Sequence, residues 1–186
     1  MHEVSLGGTI RDYLTGEEID ETTYEELRQA LAQMLVEERG YPKSSLVPRV
    51  LFEYTIEGVL YHKDVDLLVN DPAGKPIMIV IFCPGEVRTY ERETVSLARV
   101  LQETALPLAV CTDTMDASLM DVVSGECLAT GLSAVPHWDD LLKLVDERNE
   151  VILDEEYKSK VLRIFHAYNG FHDSCCSNNS CSVAES

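Results

Sequence analysis

The stretch GKPIMIVIFCPG, residues 74–85, decides the fold. Ile77, Ile79, Ile81 and Cys83 fall on one face of an extended chain, and Met78, Val80 and Phe82 on the other. Both faces are apolar, which predicts a central strand covered on both sides. In many α/β enzymes the end of such a strand carries the chemistry. Here it runs into Cys83-Pro84-Gly85 without one charged group.

The surrounding segments extend the pattern. RVLFEYTIEG and VLYHKDVDLLV, meeting at Glu57-Gly58, predict a hairpin. NDPAGKP is the turn that feeds the central strand. Upstream, TTYEELRQALAQMLVEERGYP predicts a helix capped by Thr23, with Glu26 completing a capping box and Gly40 and Pro42 ending it. Leu27, Leu31, Met34 and Leu35 form its apolar stripe. Downstream, residues 88–103 have a helical period with Val95, Leu97, Ala98 and Leu101 turned inward, and LPLAVCTD is a short buried strand. A small strand pair about Ser124-Gly125 and helices near 137–147 and 154–168 complete the reading. The expected class is α/β, an αβββαβ core with a mixed central sheet flanked by helices. The expected divisions are a polar lead-in at 1–21, a core at 22–150, a C-terminal helix at 151–170 and a mobile cysteine-containing tail at 171–186.

Composition bounds the partners. The chain of 186 residues carries 33 acidic and 15 basic side chains, a formal net charge of −18. This repels a phosphate backbone, and no run of bases offsets it. A protein partner is therefore expected ahead of DNA, with no membrane. The start, MHEVSLGGTIRDYL, has no basic segment leading into an apolar run, so no signal peptide is read there. Six cysteines without such a signal predict a reducing cytoplasm.

The order of elements, with particular residues in it, resembles the N-terminal nuclease-like domain of type I restriction enzyme R subunits, in the PD-(D/E)xK superfamily. The resemblance runs from about Asp12 to about Thr114. Glu25, Glu26, Arg28, Gln29 and Gly40-Tyr41-Pro42 match the first helix, and Asp66, Asp71, Gly74 and Pro76 match the strand bearing a metal-binding aspartate and the turn after it. The resemblance implies a Glu-x-Lys pair fifteen residues beyond Asp66, which lands on Ile81-Phe82-Cys83. In such nucleases an Asp and a Glu hold Mg²⁺ against the scissile phosphate, and the Lys, on the same strand face, orients or deprotonates water. Ile81 binds no cation and Cys83 is no such base. The family's helical Gln and Tyr fall on Ser96 and Val100, and Asp64 replaces a usual basic residue. The scaffold positions fit and the chemical positions do not.

A migrated carboxylate would restore the site. Glu86, Glu91 and Glu93 lie just beyond the strand, and Glu25 or Glu26 would reach in from the first helix. The plainer reading makes Glu91 and Glu93 exposed acids at a helix start, and Asp64 and Asp66 polar residues on the open face of a hairpin strand. In the tail, His166, His172, Cys175, Cys176 and Cys181 gather within sixteen residues. These are ligand types for Zn²⁺ or an iron–sulfur cluster, with Cys83 an imaginable fourth ligand by analogy. No Cys-x-x-Cys pair is present, so a reduced thiol tail is the favoured reading. Cys111 and Cys127 read as small buried hydrophobes. The expected role is a binding module without catalysis. The alternatives are an Mg²⁺-dependent nuclease using Asp66 and a migrated glutamate, and a metal- or redox-responsive protein acting through its tail.

Overall fold

The computed structural model describes residues 4–177 and the side chains of residues 4–170. Two strands, β1 (Ser5–Arg11) and β2 (Glu18–Thr22), open the chain as an antiparallel ladder, so the polar lead-in is a hairpin rather than an irregular segment. Helix α1 (Thr23–Gln33) follows and continues through a π-helical turn at Met34–Glu38. Its cap is Thr22, one residue earlier than expected: the Thr22 hydroxyl accepts from the Glu25 N–H at 3.0 Å. Gly40, at φ +77°, ends the segment.

The hairpin β3 (Leu46–Ile56) and β4 (Val59–Asn70) turns at Glu57-Gly58, both at positive φ, as a two-residue turn of the primed type requires. Asp71 Oδ1 accepts from the Ala73 and Lys75 N–H groups at 2.8 and 2.9 Å and closes the next turn into β5 (Pro76–Phe82). A short 3₁₀ turn, Val87–Thr89, precedes α2 (Glu91–Val100), which is therefore shorter than its sequence period suggests. Then come β6 (Thr104–Ala105), β7 (Leu108–Thr112), β8 (Ala117–Asp121), β9 (Cys127–Thr130), α3 (Trp138–Asp146), β10 (Val151–Ile152) and α4 (Glu155–Ser177). The core order α1-β3-β4-β5-α2-β7 is the expected αβββαβ.

Strands β3-β4-β5-β7-β8-β9 form a six-stranded sheet in that spatial order, with β5 and β7 its parallel pair and the other pairs antiparallel. Strand β5 is buried on both faces, as its sequence requires. Met78 and Val80 pack with Leu31 of α1, Leu35 of the π-helical turn after it and Leu141 of α3; Ile79, Ile81 and Cys83 pack with Leu97 and Ala98 of α2 and Phe165 of α4. The molecule is thus a sheet between two helical layers.

One irregularity positions the site. Leu46, Leu67 and Val69 face the α1/α3 layer, whereas Val50, Tyr54 and Val65 face the α2/α4 layer. Residues two apart on a strand normally share a face, so the hairpin rolls over between Pro48↔Leu67 and Val50↔Val65. At the crossover sit Arg49 and Asp66, and Arg49 has φ +53°, unusual for a residue with a side chain. Beyond this point the outer hairpin lies on α4 through Phe52, Tyr54, Tyr61, Phe165 and His166. Tyr54 Oη and His166 Nδ1 are 3.2 Å apart. Tyr54→Phe is expected to lose roughly 0.5–1.5 kcal/mol in urea denaturation, the usual value of one partly buried hydrogen bond.

Candidate functional site

The ladder between β4 and β5 ends at Leu67↔Val80, and Asp66 stands where the strands part. Its side chain completes the ladder: Asp66 Oδ2 accepts from the Phe82 N–H at 2.9 Å. The Tyr24 hydroxyl of α1 reaches the same carboxylate and also donates to the Phe82 carbonyl at 3.3 Å, with the two rings edge to face. Asp66 is only 6% exposed, so it does not lie on an open face as the plainer sequence reading had it. Burial pushes its carboxyl up to about 6, against the opposing pull of the Phe82 N–H, Tyr24, Lys63 and Arg28.

Lys63, three residues before Asp66 on β4, lies on the α2/α4 side, and its Nζ is 3.9 Å from Glu93 Oε1. Glu93, read from sequence as an exposed helix-start acid, is buried at 6% exposure. The amphipathic stripe of α2 is wide enough to bring this position against the sheet. From the other layer come Arg28, Glu25 and Gln29, all buried on the face of α1 that points at the sheet. Arg28 Nε donates to Glu25 Oε2 at 3.0 Å, Arg28 Nη2 pairs with Glu25 Oε1 and, at 2.5 Å, with Asp12 Oδ2. Gln29 Nε2 donates to Glu25 Oε1 at 2.7 Å. Asp12 Oδ1 also accepts from the Leu14 and Thr15 N–H groups at 2.8 Å, and Arg49 Nη1 is 3.3 Å from Asp12 Oδ2. Although burial works against its charge, these donors hold the Asp12 carboxyl below the usual range.

The other named candidates fall elsewhere. Ile81 and Cys83 are buried in the apolar layer under α2. The Cys111 thiol and burial raise the Cys83 thiol well above its ordinary range, so it is neither a base nor a ready ligand. Glu86 and Glu26 are exposed, as is Asp64. Glu91 Oε1 accepts from the Ser118 hydroxyl at 2.7 Å and so faces β8. Ser96 is buried at 3% and Val100 half-buried, neither supplying a group to replace Gln or Tyr. Cys111 is buried as expected, but Cys127 is exposed because β9 is the sheet edge. His166 is engaged with Tyr54. The side chains of His172, Cys175 and Cys176, and the whole of Cys181, lie outside the described residues.

Asp12, Tyr24, Lys63 and Arg28 were not singled out as site residues by the sequence. An Arg-Gln pair on the helix face that also carries Leu31 and Leu35 is the signal that marks Arg28 as buried; Lys63 has none, because hairpin alternation does not announce the rollover at Arg49. A divalent cation of the Mg²⁺ kind needs several free carboxylate or carbonyl oxygens. Glu25 has both oxygens engaged by Arg28 and Gln29, Asp66 accepts from Phe82 and Tyr24, and Ile81 offers none. Glu25, Asp66 and Ile81 therefore do not together fit Mg²⁺. Among the described residues no group of three His, Cys, Asp or Glu side chains is arranged to hold a metal, and no helix among them is long and apolar enough to cross a membrane.

Residues 23–136, more than half of the chain, match the family model described as the type I restriction enzyme R protein N terminus. The match spans α1, the hairpin, β5, α2 and the strands through β9, which includes every residue around Asp66 except Asp12. No curated protein and no solved structure matches the chain.

Proposed function

The chain belongs to the family of type I restriction enzyme R protein N-termini, and we propose that it keeps this scaffold without nuclease chemistry and serves as a binding module for a protein partner. The observation that carries the reading is the burial of Ile81 and Cys83 in the apolar layer under α2, at the two positions where the family's Glu and Lys would stand. A strand packed this way supplies neither a second oxygen ligand for a cation nor an amine beside the attacking water. The net charge of −18 weighs against a nucleic-acid partner and for a protein one.

The test is cleavage of supercoiled plasmid and of short duplexes with Mg²⁺ or Mn²⁺. No product above a protein-free control is expected, and neither cation is expected to raise the thermal midpoint.

A second reading has one observation in its favour. Lys63 of β4, whose charge acts on Asp66, lies 3.9 Å from Glu93 of α2, which would bring a lysine and a migrated glutamate toward the site by another route. Cation-dependent cleavage that disappears in both Asp66→Ala and Glu93→Gln would establish that reading and overturn the first.

A further inference from the structure

A cavity of about 390 Å³ opens at the end of the sheet remote from Asp66. It lies where the turn feeding β5, the connection from α2 to β7 and the end of α3 meet. From Pro76 at its wall to Phe82 beside Asp66 is about 20 Å along β5, at ~3.3 Å per residue, so the two sites are separate. Its size is that of a small-ligand pocket.

The lining has a definite chemical bias. Ile77, Leu106 and Val145 give it an apolar floor. Its two cations are consumed within the protein: Lys75 Nζ pairs with Glu150, while Arg148 Nε donates to Asp121 Oδ2 at 2.7 Å and Arg148 Nη1 to the Leu144 carbonyl at 2.5 Å. Glu103 and Asp146, also on the wall, make no ion pair and no side-chain hydrogen bond among the described residues. Helix α3 ends there with its last carbonyls already taken, that of Lys143 by the Glu147 N–H, that of Leu144 by Arg148 Nη1 and that of Val145 by the Arg148 N–H, which leaves the two carboxylates as the unmatched groups of the wall. An apolar floor beneath two carboxylates that no cation of the protein matches complements an aliphatic chain ending in a cation.

We propose that this cavity binds an alkyl cation, a guanidinium or ammonium group on a short aliphatic chain. A free amine and the arginine or lysine side chain of a partner protein share this chemistry. The proposal stands apart from the question of catalysis at Asp66.

The test is titration of the ¹⁵N-labelled full chain with butylguanidinium, followed by amide shifts at about 0.15 M salt, where long-range surface attraction is screened. Saturable shifts are expected at residues 102–106 and 146–150, and none with butyrate. The exposed pair of changes Glu103→Gln and Asp146→Asn is expected to weaken binding roughly tenfold at an unchanged thermal midpoint, and Asp66→Ala to leave it intact. An arginine-containing tetrapeptide that binds more tightly than butylguanidinium assigns the site to a partner's side chain; the reverse order assigns it to a free amine. Shifts that never saturate and spread over the acidic surface, or equal binding by the double variant, would overturn the proposal.

Discussion

Arg28→Ala is expected to destabilise the fold by roughly 3–5 kcal/mol, measured as a fall in the urea midpoint at constant slope. The guanidinium is 1% exposed and holds Glu25 through two nitrogens and Asp12 through one. Without it Glu25 keeps only Gln29, and Asp12 keeps Gln29, the half-buried Arg49 and two backbone donors, so buried negative charge is left short of its counter-ion. The loss arises from that uncompensated charge more than from any net worth of the pair. Arg28→Leu combined with Glu25→Leu should therefore cost less than Arg28→Ala alone. Arg28→Lys keeps the charge and loses the fork, and belongs between wild type and Ala. If Arg28→Ala costs under about 1 kcal/mol, the value usual for exposed pairs, the cluster does not anchor α1 to the hairpin.

Asp66→Asn is expected to abolish a pH-dependent loss of stability. The folded carboxyl is raised from 3.8 to about 6. Between those values the folded state holds a proton that the unfolded chain has released, so stability falls as pH rises through this window. Two pKa units correspond to about 3 kcal/mol. Asn cannot titrate, while its carbonyl oxygen still accepts from the Phe82 N–H and Tyr24. Wild type should be the less favoured of the two above pH 7 by up to about that amount, with the difference shrinking as pH falls from 6 toward 4. Urea denaturation of both proteins at pH 4, 5, 6, 7 and 8 isolates the effect, since every other carboxylate is common to both. A difference that stays flat across the series would mean that the Asp66 carboxyl is not raised. Burial sets the upward shift, and the charged groups Lys63 and Arg28 oppose it, one from each helical layer's side of the sheet.

Residues 74–85 read correctly because apolar alternation on both faces has one stable solution, a strand between two helical layers. The Glu57-Gly58 turn and the Asp71–Gly74 turn read correctly because both depend on local backbone chemistry, positive φ and an Asx-type acceptor. The ladder β1–β2 was missed because its residues are mostly exposed, so no apolar alternation marks it. Glu93 was misplaced for a related reason: an acid at a helix start reads as solvated until the width of the buried face is known.

The sequence by itself determined the αβββαβ order of the core and that positions 81 and 83 carry Ile and Cys on a strand apolar on both faces, since side-chain identity and alternation need no coordinates. Only the tertiary structure decided what surrounds Asp66. The rollover at Arg49 turns the hairpin from one layer to the other, and with it sends Lys63 toward Glu93 while α1 brings Tyr24 and Arg28 from the opposite side. That arrangement depends on contacts between residues far apart in the chain, where burial and opposing charge compete, and local pattern carries no record of the outcome.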